Sequence, residues 1–141
     1  MKVFILEDDM NCKPIIEWIE KSFEVVHKKN IEDAAYYLEY EGGDEQCDKY
    51  IFDASVPMAE IIHPDGSTDI YDGTLNGIDF MISCFQRLKL DEKGKKVAVL
   101  SAFDQKVRDG GIPDEIRDKV EVISKNDNDL IKMLHDFLEM S

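Results

Sequence analysis

The sequence predicts an α/β domain built on a five-stranded parallel sheet. Three observations lead there. Short apolar runs alternate with amphipathic helical segments from end to end. The runs are apolar throughout, as strands covered on both faces are. The length, 141 residues, suits one core. No linker, internal repeat or low-complexity tract divides the chain, so residues 1–141 are read as a single domain.

The elements come in this order. Val3–Leu6 is the first strand. Asn11 is the expected cap of the first helix, with Pro14 in its first turn and Cys12, Ile15, Ile16, Ile19 and Phe23 along one face. Glu24–His27 is a second, shorter strand. Asn30 caps the second helix, which buries Ile31, Ala34, Ala35 and Leu38 and ends at Gly42-Gly43. Tyr50-Ile51-Phe52 is the third strand and runs into Asp53. After a long polar stretch, Ile78, Met81, Ile82, Phe85 and Leu88 mark the third helix. Val97–Leu100 is the apolar centre of the fourth strand. Gly110-Gly111 and Pro113 should break the fourth helix, since glycine and proline are poor in helix interiors. Val120–Ile123 is the fifth strand. Leu130, Met133, Leu134, Phe137 and Leu138 line the last helix, with its cap expected at Asp127 or Asn128.

Composition narrows the function classes. The net charge is -14, and such a chain repels nucleic-acid phosphates, so direct DNA or RNA binding is not expected. No apolar run reaches the roughly 18 residues of a membrane helix, and the N-terminus turns acidic at Glu7 without a cleavage site. Cys12, Cys47 and Cys84 lack metal-ligand spacing and are read as reduced thiols of a cytoplasmic protein.

In open α/β sheets ligands bind beyond the carboxyl ends of the strands, so the residues there carry most information. The first strand ends in Glu7-Asp8-Asp9, the third in Asp53, the fourth in Ser101-Ala102 and the fifth in Ser124-Lys125. Each alone is ordinary: an acidic pair is usually solvated, a strand-end serine usually bonds backbone, and a lysine is usually exposed. Together they place carboxylates, a hydroxyl and an ammonium in one pocket. Converging carboxylates call for a divalent cation. Mg²⁺ takes one or two carboxylates plus phosphate oxygens, a role that suits Asp8, Asp53 and the backbone carbonyl of Ser55. Phosphoryl transfer needs mainly positioning and charge stabilisation, and Ser101 and Lys125 are placed to supply both around Asp53.

These motifs resemble the receiver domains of two-component response regulators over essentially the whole chain. Val3–Asp9 resembles the first strand and acidic pair, Tyr50–Pro57 the phosphoacceptor strand, Val99–Ala102 the hydroxyl-small pair, and Ile123–Lys125 the strand bearing the lysine. The resemblance implies a flavodoxin-like, doubly wound sheet of order 2-1-3-4-5. It also implies that Asp53 accepts a phosphoryl group from a histidine kinase or phosphotransfer protein, with Mg²⁺ held by Asp8, Asp53, the Ser55 carbonyl and, through water, Glu7. Ser101 and Lys125 would contact the phosphoryl group. The altered surface would then dock a downstream protein, and homodimerisation is left open. With no second domain visible, signalling is expected through docking or onward relay rather than turnover chemistry.

Four features depart from that family. Asn126 replaces the usual proline after the lysine. Val122 stands where an aromatic residue often does. The fourth helix is interrupted. The largest departure is in the loop after the phosphoacceptor: Pro57 and Gly77 lie twenty residues apart, so it carries about sixteen extra residues. Residues 58–76 are therefore an insertion between the third strand and third helix, an inserted loop or a small hairpin. In the hairpin reading, Ile61–His63 and Asp69–Tyr71 flank a turn at Pro64-Asp65-Gly66. His63, a lone loop histidine, is expected to be solvated.

Three other functions compete with the switch. A receiver-like binding module acting without phosphorylation would typically lose the acceptor, the acidic pair or the lysine, all present here. An aspartyl phosphatase would need an acid two residues after Asp53, where Ser55 stands. An electron carrier of the same fold would place a flavin phosphate against Glu7-Asp8-Asp9, which would repel it.

Overall fold

The computed structural model describes residues 1–102, 105 and 107–140. Five strands form the central parallel sheet: β1 (Lys2–Leu6), β2 (Glu24–Lys28), β3 (Lys49–Asp53), β6 (Lys96–Ser101) and β7 (Val120–Ser124). Two further strands, β4 (Ala59–Ile62) and β5 (Thr68–Tyr71), make a separate antiparallel pair. The sheet order is β2-β1-β3-β6-β7, which is 2-1-3-4-5 once the pair is set aside. The expected doubly wound α/β fold is present.

Alternation along the strands builds two cores. Phe4, Leu6, Tyr50, Phe52, Val97 and Val99 point to one side of the sheet. There they meet α2 (Ile31–Tyr40) and α4 (Asn76–Leu88). Val3, Ile5, Ile51, Ala98 and Leu100 point to the other side, against α1 (Lys13–Glu20) and α6 (Leu130–Glu139). Both faces are covered, which is why these strands read as continuous apolar runs. Each fully buried large side chain contributes about 1.5–3 kcal/mol, and Phe4 adds ring contacts to Tyr37, Tyr50 and Phe52.

Local chemistry differs from expectation in three places. Asp9, not Asn11, opens the first helical segment: its carboxylate accepts from Asn11 N–H at 2.9 Å, and a 3₁₀ turn over Met10–Cys12 leads into α1. Asn11 is one residue too late, because the acidic run itself offers an acceptor. At the last helix Asp127 accepts from Asp129 N–H in a turn before the helix, and α6 starts only at Leu130 without a side-chain cap. A short helix, α3 (Gly43–Gln46), follows the left-handed Gly42 where only a stop was expected. By contrast, Asn30 caps α2 as expected, accepting from Asp33 N–H at 2.8 Å.

Beyond β6, residues 103, 104 and 106 of the expected fourth helix lie outside the described residues. A π-helical turn over Val107–Gly111 contains Gly110 at φ 141°, and a short α5 (Asp114–Arg117) comes after Pro113. The interruption at Gly110-Gly111 and Pro113 is therefore seen among the described residues.

The residues after Asp53 leave the sheet and return as the β4–β5 hairpin, in which Ala59 pairs with Tyr71 and Ile62 with Thr68. Ala59, Ile61 and Tyr71 are buried in the core on the α2–α4 side, while Met58, Ile62 and Ile70 face outward. The turn is closed by Gly66 N–H donating to the His63 carbonyl at 2.9 Å.

At the opposite end of the sheet, Lys49 is a buried cation. Its Nζ donates to the carbonyls of Phe137 and Met140 at the C-terminus of α6 and lies 5.1 Å from the Phe137 ring centroid. A cation there adds a donor to the last carbonyls of the helix, of which Phe137's also accepts from Met140 N–H, and complements its dipole. Lys49→Met should therefore lower the unfolding free energy by about 1–3 kcal/mol in urea titration. An unchanged midpoint would mean that water serves those carbonyls equally well.

Candidate functional site

β1 and β3 are adjacent parallel strands, and both end in acids at the same edge of the sheet. Carboxylate oxygens of Glu7, Asp8 and Asp53 come within 4.8 Å of one another. Glu7 and Asp53 are buried and Asp8 is exposed. Lys125, just after β7, reaches across: its Nζ lies 3.0 Å from Glu7 Oε2 and 3.2 Å from Asp53 Oδ1. Its place is set by the backbone, because Lys125 N–H donates to the Ser101 carbonyl at 2.8 Å. Ser101 is fully buried at the end of β6, beside Asp53 in the sheet, where Asp53 pairs with Leu100. Ser55 donates its N–H to Asp53 Oδ1 at 3.3 Å. The strand-end residues singled out from sequence thus meet at one edge of the sheet, with Glu7 bonded directly to Lys125.

Asp9, next in sequence to this trio, has a different role. It caps the turn before α1, and its N–H donates to Glu7 Oε1 at 3.0 Å. Asn126 also has a definite place: its side chain donates to the Ala102 carbonyl at 3.1 Å, tying the loop after β7 to the loop after β6.

Crowding shows in the acid–base properties. Burial first, then the hydrogen bond and charge of Glu7, push the Asp53 carboxyl up to about 7, against a weaker downward pull from Lys125. Asp8 is raised as well, by burial and by its hydrogen bond to Asp53. Burial pulls Lys125 down, but the charges of Asp53 and Glu7 outweigh it and hold the ammonium above its ordinary value. Glu7 Oε2 is buried and faces Lys125 without a directed hydrogen bond. An all-oxygen donor set with excess negative charge fits a hard divalent cation. Asp8 and Asp53 are the side chains that would hold it.

The backbone near Asp53 is equally constrained. α4 begins so close to the end of β3 that a Cβ on Gly77 would sit 1.8 Å from the Asp53 carbonyl oxygen. Gly77 N–H donates to the Ala54 carbonyl at 3.1 Å. Only glycine permits this approach.

Solved structures resemble this arrangement across its whole length. A phosphorylated cyanobacterial phytochrome response regulator, RcpA, superposes with a TM-score of 0.63 at 17% identity, covering 99% of this chain and 95% of that one. The chain has the receiver-domain fold. The response regulator TrrA of Thermotoga maritima, in complex with Mg²⁺–BeF, gives a TM-score of 0.57 at 16% identity, covering 96% and 97%. The Mn²⁺-bound form of response regulator Rcp1 gives 0.60 at 17%, covering 99% and 96%. No protein-family model and no curated protein matches the chain by sequence.

Two buried polar residues of the insertion carried no signal in the sequence. Asn76, 2% exposed at the start of α4, bonds four backbone atoms around the insertion. His63, expected in solvent, is 3% exposed. Its Nδ1 lies 2.9 Å from Glu39 Oε1 on α2 and its Nε2 2.5 Å from Asp69 Oδ2 on β5. The correction has a simple cause: the hairpin folds onto α2, so its turn is not a free loop tip. Glu39 became its partner through packing at a sequence distance no local pattern reveals.

Two outcomes test the site. Gly77→Ala should cost about 1–3 kcal/mol in thermal unfolding, because the strand end must move to admit the methyl group. The second concerns pH. Asp53 is raised in the fold from its ordinary 3.8 to about 7, so the folded chain binds more protons than the unfolded one across that window. Stability therefore falls as pH rises through it. Asp53→Asn cannot ionise, so in EDTA its melting temperature relative to wild type should climb between about pH 4 and pH 8. A flat difference would show that Asp53 ionises as freely folded as unfolded.

Proposed function

We propose that this chain is a phosphorylation-dependent signalling switch with Asp53 as the acceptor. The observation that carries it is the convergence of Glu7, Asp8 and Asp53 on Lys125 at one end of a receiver-fold sheet. The states of the structural neighbours support it: one is phosphorylated, one holds Mg²⁺–BeF and one holds Mn²⁺.

The donor is a phosphohistidine on a histidine kinase or phosphotransfer protein. Its N–P bond breaks as an Asp53 carboxylate oxygen bonds the phosphorus, and the imidazole, already protonated at its other ring nitrogen, leaves as the neutral base. A bound Mg²⁺ supplies neutralisation of the phosphoryl oxygens. Lys125, already 3.2 Å from Asp53, provides the nearest protein cation and exchanges its Glu7 partner for a phosphoryl oxygen. Ser101 offers a hydroxyl from the next strand. Both residues draw on the segments after β6 and β7, so a two-state rearrangement there carries the signal to a docked protein. The chain is a switch, not a turnover enzyme, and acts in the cytoplasm. Its cysteines fit that setting: all three are free and buried, and burial pushes the Cys12 thiol up to about 11, so it is a poor nucleophile.

Two observations favour a second reading, a binding module independent of phosphorylation. The Asn126 bond to Ala102 braces the loop that would move, and Val122 provides no ring to swing.

Acetyl phosphate with Mg²⁺ separates the two. The switch predicts a mass gain of one phosphoryl group in wild type and none in Asp53→Asn. Lys125→Ala should be labelled yet lose the phosphorylation-induced change in the amide resonances of Ser101 and of position 125. No mass gain in wild type would leave the binding module; equal gain in Asp53→Asn would place the acceptor elsewhere.

A further inference from the structure

We propose that Asn76 is a positioning residue that couples the inserted hairpin to the cation site, so that the seating of the hairpin on α2 sets Mg²⁺ affinity at Asp53. The inference rests on the reading above and concerns how that site is regulated.

The first link is geometric. Asn76 Oδ1 accepts from Val56 N–H at 2.9 Å. That N–H belongs to the same peptide unit as the Ser55 carbonyl, the third oxygen assigned to the cation. The peptide is planar and trans, with no cis bonds in the described residues, so the N–H and C=O point in opposite directions. Holding Val56 N–H toward Asn76 therefore aims the Ser55 carbonyl away from it. Donation from the same unit also strengthens that carbonyl as an acceptor. Asn76 thus acts on a ligand through the ligand's own peptide.

The second link runs to the hairpin. Asn76 Nδ2 donates to Val56 O at 2.7 Å and lies 3.3 Å from both Pro57 O and Tyr71 O. The opposite amide orientation would aim Oδ1 at three carbonyl oxygens, so the network fixes the assignment. Tyr71 is the last residue of β5 and packs edge-on against Phe80 of α4, with 5.6 Å between ring centroids. One buried amide therefore grips both the loop beside Asp53 and the end of the hairpin.

The third link seats the hairpin. The His63 ring bridges Glu39 on α2 and Asp69 on β5. The Tyr71 hydroxyl reaches Asp69 Oδ2 at 3.4 Å, and Arg87 of α4 lies 3.5 Å from Glu39 Oε1 and 3.3 Å from Asp65 Oδ2. A continuous chain of contacts thus joins α2 to the Ser55 peptide through His63, Asp69, Tyr71 and Asn76. Such contiguity becomes coupling only if both ends bias one arrangement, which a double-mutant cycle measures.

The experiment uses the full chain and titrates Mg²⁺ by calorimetry in wild type, Asn76→Ala, His63→Ala and the double variant. Val56 amide exchange is followed in EDTA. Asn76→Ala should weaken Mg²⁺ binding about tenfold, as the loss of an outer-shell partner does, and speed Val56 exchange. His63→Ala should weaken binding to a lesser degree and add nothing in the Asn76→Ala background. Asn76→Asp keeps an acceptor for Val56 and loses the donor to Tyr71. It should fall between wild type and Asn76→Ala in affinity, remain indifferent to His63→Ala, and serve if Asn76→Ala does not fold. Unchanged Mg²⁺ affinity in a destabilised but folded Asn76 variant would reduce Asn76 to a structural brace and overturn the proposal. Additive effects of the two substitutions would overturn the coupling. If wild type bound no Mg²⁺, the functional reading would fall, and the exchange data would still decide the coupling. His63→Ala must then alter Val56 exchange in the presence of Asn76 and not in its absence.

Discussion

Like charges held close together out of water govern this molecule. β1 and β3 run side by side and in parallel, so the acids that end them must arrive at the same edge of the sheet. Glu7 and Asp53 are buried there, and Lys125 is the cation that faces both. The repulsion is relieved in part by raising the Asp53 carboxyl toward neutrality, an arrangement any added cation would displace. Parallel strands ending in acids, a lysine just beyond the far strand β7 and a buried serine at the end of β6 between them belong to one electrostatic problem. The fold supplies the geometry of that problem.

The scaffold keeps this crowding from dispersing. The central strands β1, β3 and β6, buried on both faces, hold the strand ends in register, and the start of α4 presses against the Asp53 backbone through Gly77. Nothing in that contact tolerates a side chain. The far end of the sheet is tied by Lys49 to the last turn of α6, so a cation closes each end of the domain, for different reasons. At Lys49 the partners are helix carbonyls, and at Lys125 they are carboxylates.

The strands and their order of appearance were legible because burial on both faces leaves a periodic, apolar trace, and ligand chemistry in such sheets gathers at strand ends. Asp53 and Ser101 stop their apolar runs directly, and Asp8 and Lys125 each stand one residue beyond the polar residue that does, so all four could be singled out that way. Helix ends were less legible. Asp9 and Asn11 are both good caps, and only the backbone decides between them. Asn76 and His63 left no trace at all. Their partners are backbone atoms twenty residues away or a carboxylate on another helix, and neither position follows from periodicity or spacing. The sequence identified the insertion by its length, but not that it folds down onto α2 with a histidine buried beneath it.

The insertion leaves and rejoins the domain at almost one point. Asn76 touches Val56 and Pro57 where the chain departs and Tyr71 where it comes back. The segment between is a side branch whose closure strains nothing in the sheet, and loop-closure entropy grows only slowly with length. Such a junction lets a lineage lengthen, shorten or exchange the branch without refolding the parent domain. The hairpin is therefore where diversity can accumulate beside a strand end whose packing at Gly77 admits almost none.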